Sequence, residues 1–155
     1  MKAKTTRNAF LFLLAFLGIG AIFGGGMLIV SPTGELLNMP LSLLEKSPFN
    51  DFLIPGIILF TFLGLVPCLL IYPLVKIPEC KFLEKFNLFN DMHWSWTYSI
   101  YIAFALIIWL QIQMMFLQSV HWAHTFYMFF ALCIIIVGVL PQTREYYKKD
   151  KKSLI

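Results

Sequence analysis

His121 and His124 stand three residues apart at the start of the last long apolar run, with Gln118 three residues before them. On a helix that spacing puts side chains on neighbouring faces. Imidazole with carboxylate suits Zn or a related metal, and it also suits proton exchange near neutral pH. The carboxylates within reach of the same side of the chain are Glu35, Glu45 and Asp51, accompanied by Asn38 and Asn50. The sharpest chemistry legible here is therefore an outer polar cluster of His121, His124, Gln118, Asp51 and Glu35. It would bind a cation, a proton or a polar headgroup. The plainer expectation is that these are boundary residues bonded to lipid, water or a helix end. His-x-x-His lacks the glutamate of the metalloprotease helix, and two ligands do not make a site. His121 and His124 are thus weak metal candidates, and no cofactor is expected.

Other polar residues suggest less. Gln111 lies within an apolar run and reads as an intramembrane hydrogen bonder, with Gln113 on another face. Thr97, Gln111 and Gln118 share one helical stripe. Gly20-x-x-x-Gly24 puts two small residues on one helix face, where another helix can approach. Cys68, Cys80 and Cys133 form no C-x-x-C pair and read as free thiols. Nothing resembles a Ser-His-Asp or Cys-His set, so the chain reads as non-enzymatic.

The elements that must position these residues are four apolar runs. The chain of 155 residues is 59% hydrophobic and only 13% charged, more apolar surface than a soluble domain of this size can hide. The expected spans are 8–30, 52–75, 96–117 and 120–140, each near the ~20 residues a bilayer core requires. The N-terminus begins like a signal peptide, but its apolar run continues to Val30 with no A-x-A site. It reads as a first membrane helix. Ser31-Pro32-Thr33-Gly34 reads as a turn, followed by a leucine-rich stretch that suits a short interfacial or folded-back helix. Ser47, Pro48 and Asp51 read as the start of span 2. Pro67 should kink that span. The loop 76–93 reads as an amphipathic surface segment, and Trp94 and Trp96 as boundary markers. The very short link between spans 3 and 4 predicts an antiparallel hairpin. Gly138 and Pro141 should end span 4, leaving a basic, polar tail.

Charge sets the expected orientation. Of the 12 Lys and Arg residues, all but Lys46 fall in the N-terminal segment, the second loop and the tail, which includes Lys151 and Lys152. The excess of positive charge on one side puts both termini in the cytoplasm. The expected fold is a single membrane domain over residues 1–155: an all-α transmembrane four-helix bundle, N-in and C-in, with a folded or interfacial first extracytoplasmic loop. Its expected partners are the lipid bilayer and either a second copy or another membrane protein, with no role for nucleic acid.

Gly24-Gly25-Gly26, Pro32-Thr33-Gly34, Leu36, Pro40 and Ser47-Pro48-Phe49-x-Asp51-Phe52-Leu53-x-Pro55-Gly56 together resemble a group of small bacterial four-helix membrane proteins. More distantly, the four-span layout is similar to DoxX-like membrane proteins. The resemblance implies a fold and a bacterial plasma membrane, and no activity. Three functions stay open on the residues: a binding, assembly or accessory subunit; a carrier or channel for a small solute or ion; and a membrane enzyme or redox component using the outer His/carboxylate site. The first is favoured, because no span has a central Asp, Glu, Lys or Arg.

Overall fold

The computed structural model describes residues 2–149, so Lys151 and Lys152 lie outside the described residues. Four helices are long and apolar enough to cross a membrane, and there is no strand among the described residues. They are α1 (Lys2–Val30), α2 (Leu53–Lys76), α4 (Trp94–Leu117) and α5 (Trp122–Val139). Two short helices, α3 (Lys81–Glu84) and α6 (Pro141–Tyr147), lie outside the spans. Large apolar side chains stay exposed along all four long helices, Phe12, Leu69, Ile108 and Phe129 among them. A water-facing surface rarely tolerates that, and a hydrocarbon one requires it.

α1 and α2 touch backbone to backbone. A Cβ at Gly25 would sit 2.7 Å from the Phe60 nitrogen and 2.8 Å from the Gly56 carbonyl oxygen. A Cβ at Gly56 would meet Leu28, one at Gly64 would meet Ile22, and one at Gly18 would meet Cys68. The closest approach is therefore made by Gly18 and Gly25 with Gly56 and Gly64. Gly20 and Gly24 lie roughly a third of a turn away on α1, at 100° per residue. There the nearest atoms to an added Cβ are the Tyr127 hydroxyl at 3.1 Å and a Leu59 methyl at 3.8 Å. The small-residue face expected to receive a helix is thus displaced onto its neighbour.

α2 contains a π-helical stretch, Leu59–Leu65. Pro67 lies two residues beyond it. Proline has no N–H and clashes with the carbonyl four residues back, so a wider turn ahead of it relieves both problems. The Val66 N–H accordingly reaches the Thr61 carbonyl, five residues back. The helix also starts later than the Ser47-Pro48 reading. Ser47 closes a local turn with Leu44 and Phe49, while Asp51 Oδ1 accepts the Leu53 N–H at 2.9 Å. Pro55 then falls in the first turn, where its missing N–H has no intrahelical partner to lose.

The first connection is folded. It contains two 3-10 turns, Glu35–Leu37 and Leu41–Leu44. Gly34 takes φ 81°, which favours glycine, and the Phe52 N–H returns to the Pro32 carbonyl. Leu28, Leu44 and Phe52 form a small core of their own beneath it. α4 and α5 are joined by a turn in which Gln118 adopts a left-handed conformation. Pro141, expected only to stop span 4, instead opens α6, which packs on α1. The tail is therefore folded as far as Lys149.

Gly25→Ala should lower thermal stability by about 1–3 kcal/mol, the usual cost of overpacking. Gly24→Ala should leave it within about 0.5 kcal/mol. Thermal unfolding of the two detergent-solubilised variants checks this; equal melting would contradict the seam.

Candidate functional site

The two ends of the bundle are built differently. The end that holds Lys2 and Lys149, the terminal end of the described chain, is closed by hydrogen bonds among buried polar residues. Asn87 is its centre. Its amide Nδ2 donates to Glu84 Oε2 at 3.0 Å and to the Met92 carbonyl at 2.8 Å. Its Oδ1 accepts from the Thr97 hydroxyl at 2.6 Å and from the Phe89 N–H at 3.1 Å. Glu84 also takes Lys149 Nζ at 2.6 Å and the Trp94 N–H at 3.3 Å. It thereby joins the second loop, the start of α4 and the tail. The ring of His93 bridges Ser95 and the Pro78 carbonyl, at 2.8 and 3.0 Å. Because a carbonyl only accepts, Nε2 holds the proton and Nδ1 accepts from Ser95. Trp96 Nε1 donates to the Gly138 carbonyl at 2.8 Å, and the Tyr147 hydroxyl donates to the Leu74 carbonyl at 3.0 Å. Arg7 donates to the Tyr146 hydroxyl at 2.6 Å and lies over its ring.

Electrostatics follow from this packing. Burial alone would raise the Glu84 pKa, but Lys149, Asn87 and the Trp94 N–H together hold it below the ordinary value. Burial, helped by Lys149, pushes His93 below its ordinary value, against the Pro78 carbonyl and Glu84. Burial also raises Tyr147, with Tyr146 adding and Arg7 opposing.

The opposite end is different. Between α1, α4, α5 and the first connection lies a cleft of about 530 Å³. Leu17, Gly20, Ala21 and Gly24 line it from α1, and Leu106, Trp109, Leu110 and Gln113 from α4. His121, His124 and Tyr127 line it from the α5 side, and Asn38 and Leu43 from the connection. A second cleft of about 310 Å³, almost wholly apolar, shares Met39, Trp109, Gln113 and Leu117 with it. The indole Nε1 of Trp109 is buried and has no hydrogen-bond partner.

The sequence-derived cluster is dispersed by this arrangement. His121 and His124 come together, with ring centroids 6.0 Å apart, and the His121 N–H donates to His124 Nδ1 at 3.1 Å. His124 is thereby a helix-start group as well as a cleft residue. Gln118 turns its amide back to the Met115 carbonyl at the end of α4. Asp51 caps α2, and Glu35 is exposed on its 3-10 turn. None of these three lines either cleft. Among the described residues, no three His, Cys, Asp or Glu side chains gather as a metal ion would need. Gln111 is exposed on the outside of α4, whereas Gln113 faces the clefts. The three cysteines are free. Sequence reasoning passed over Asn87, Glu84, Lys149 and Trp109. One usable signal was Thr97, a polar residue in the first turn of an apolar span, which needs a nearby acceptor.

No protein-family model, curated protein or solved structure matches this chain.

Asn87→Ala should cost about 1–3 kcal/mol for each partner it leaves unsatisfied. Arg144→Ala, which breaks an ion pair that is half exposed on both sides, should cost less than about 1 kcal/mol. Chemical denaturation of both variants checks the ranking. Acid should also destabilise the fold in two stages. The unfolded chain protonates His93 at its ordinary pKa of 6.5, before the folded chain does, so stability starts to fall below that pH. The contribution of Glu84, complete above the ordinary carboxylate pKa, is lost as pH falls through its lowered value. His93→Gln should shrink the first stage of a stability–pH profile and keep the second.

Proposed function

We propose that this chain is a non-enzymatic multi-pass protein of a bacterial plasma membrane, with both termini in the cytoplasm. It acts as a binding or accessory subunit through the cleft at the outer end of its bundle. One observation carries the reading: Asn87, Glu84, Thr97 and Lys149 bond one another at the terminal end, where the Thr143 hydroxyl alone of the buried groups described stays unpartnered, while the other end leaves about 530 Å³ between its helices. A clamped end and an unfilled end suit a scaffold that holds something. The bias of Lys and Arg toward the segments at the terminal end supports the orientation. The resemblance of the Gly24–Gly56 stretch to small bacterial four-helix membrane proteins supports the compartment. The first connection, folded over the cleft, then lies on the outer side. No span has an acidic or basic side chain in its central part for a coupled ion, which favours binding over transport.

Two measurements test this. On a background without native cysteines, Ser42→Cys should react with an impermeant maleimide on intact cells, and Lys148→Cys only after permeabilisation. The reverse pattern would overturn the orientation. A photo-crosslinking residue at Leu110, inside the cleft, should give a discrete adduct in growing cells, while one at the exposed Ile108 should give diffuse lipid labelling. Identical labelling at both positions would overturn the binding role.

A further inference from the structure

We infer that the larger cleft takes a lipid-class amphiphile, with one hydrocarbon chain between α1, α4 and α5 and an oxygen-bearing head at the mouth. This rests on the reading of that cleft as the binding site.

Three observations lead to it. The first is that polarity changes along the cleft in one direction. At 1.5 Å per residue, Leu106 lies roughly 16 Å and Trp109 roughly 12 Å below the end of α4 at Leu117. Leu17, Ala21, Leu106 and Leu110 make the deep lining mostly apolar, beside Trp109 and the Tyr127 hydroxyl, while the mouth has Asn38, His121 and His124. A molecule that is apolar over most of its length and polar at one end matches that gradient. A simple ion matches none of the deep part, and a wholly apolar chain leaves the mouth unused.

The second is Gln113. It lies roughly 6 Å below the end of α4, between the deep lining and the mouth, and it lines both clefts. Its amide both donates and accepts, so it meets an ester or carboxyl oxygen at the top of a hydrocarbon chain. The indole N–H of Trp109 does not, because it is covered by protein and has no surface in the cleft.

The third is the α1 wall. Gly20 and Gly24 put no side chain into the space, and a Cβ at Gly24 has its nearest neighbour at 3.8 Å. Backbone contact along the α1–α2 seam runs through Gly18 and Gly25 and bypasses these two, and the Leu59 methyl of α2 that Gly24 meets itself lines the cleft, so their smallness serves that space. The volume of about 530 Å³ falls within the ~300–1,000 Å³ typical of small-molecule sites. The occupant is thus a small amphiphile rather than a partner helix, which the folded first connection over the cleft would obstruct.

The test is native mass spectrometry of the full-length protein released from nanodiscs of dioleoylphosphatidylcholine. The discs are doped with graded palmitoyl-lysophosphatidylcholine or, separately, palmitate. The expected result is one retained amphiphile per chain, saturating with dose. Saturation by the lysolipid alone assigns the head to a phospholipid. Saturation by palmitate alone assigns it to a free carboxylate, and saturation by both assigns recognition to the chain and its acceptor oxygen. Gly24→Leu, which fills the cleft, should weaken retention at least tenfold while melting like wild type. Gln113→Leu keeps the size and loses the amide, and should weaken it roughly three- to tenfold. Non-saturating adducts of equal abundance in wild type and both variants would overturn the inference. If they occur together with a discrete protein adduct at Leu110 in cells, the binding role survives and only the amphiphile fails. If Leu110 also labels like Ile108, both fail.

Discussion

The close approach of α1 and α2 sets the rest of the bundle. Four glycines remove the side chains that would hold the helices apart, and backbone meets backbone at Gly25, Phe60 and Gly56. In hydrocarbon no hydrophobic effect drives helices together, so such van der Waals contact becomes a principal source of association. With α2 fixed on one face of α1, the adjoining face is left to α4 and α5. That face has Gly20 and Gly24, where the nearest neighbours stand farther off, and there the cleft opens. Packing on one side of a helix and space on the next follow from where the glycines fall around it.

The ends meet a second constraint. Buried polar groups need partners, because an unsatisfied one costs more than a formed bond returns. At the terminal end the chain answers by convergence: loop, tail and the start of α4 bring Asn87, Glu84, Lys149 and Thr97 into one network. Separately, Arg7 and Tyr146 tie α1 to α6 at the same end. At the other end Asp51, Gln118 and His124 each satisfy a helix terminus locally. Local capping binds no helix to another, so this end keeps its helices apart and leaves the Trp109 donor unanswered.

Much of the frame was legible in the sequence. Long apolar runs locate the four long helices to within a few residues, apart from the start of α1, because length and hydropathy are properties of a segment alone. The turn at Ser31-Pro32-Thr33-Gly34 was legible too, and the Gly34 N–H closes it on the Ser31 carbonyl. The lateral detail was not. GxxxG spacing identifies a small face, but Gly18 and Gly25, seven residues apart, are matched by glycines on α2 at positions no single helix reveals. The outer polar residues do not gather around one cleft, for a related reason. His121, Asp51, Glu35 and Gln118 share an end of the bundle, yet each sits at a different helix terminus with a local hydrogen bond or exposure of its own. Conversely, Asn87 stands among phenylalanines and lysines that read as an interfacial surface. Only the return of the tail through Lys149 makes it a buried centre. Contacts between segments 60 residues apart leave no periodicity to read.

The central claim is that one end of the bundle is locked by buried hydrogen bonds and the other is held open. Amide hydrogen exchange of the protein in nanodiscs, read by mass spectrometry, tests it most directly. Amides of the loop from Glu84 to His93 and of the tail from Thr143 to Lys149 should exchange as slowly as the adjoining helices, although the loop is mostly irregular in structure. Amides from Leu36 to Leu44 and around Gln118 should exchange much faster. A second loop that exchanges as fast as the first connection would contradict the locked end, and with it the division of the molecule into a clamp and a cleft.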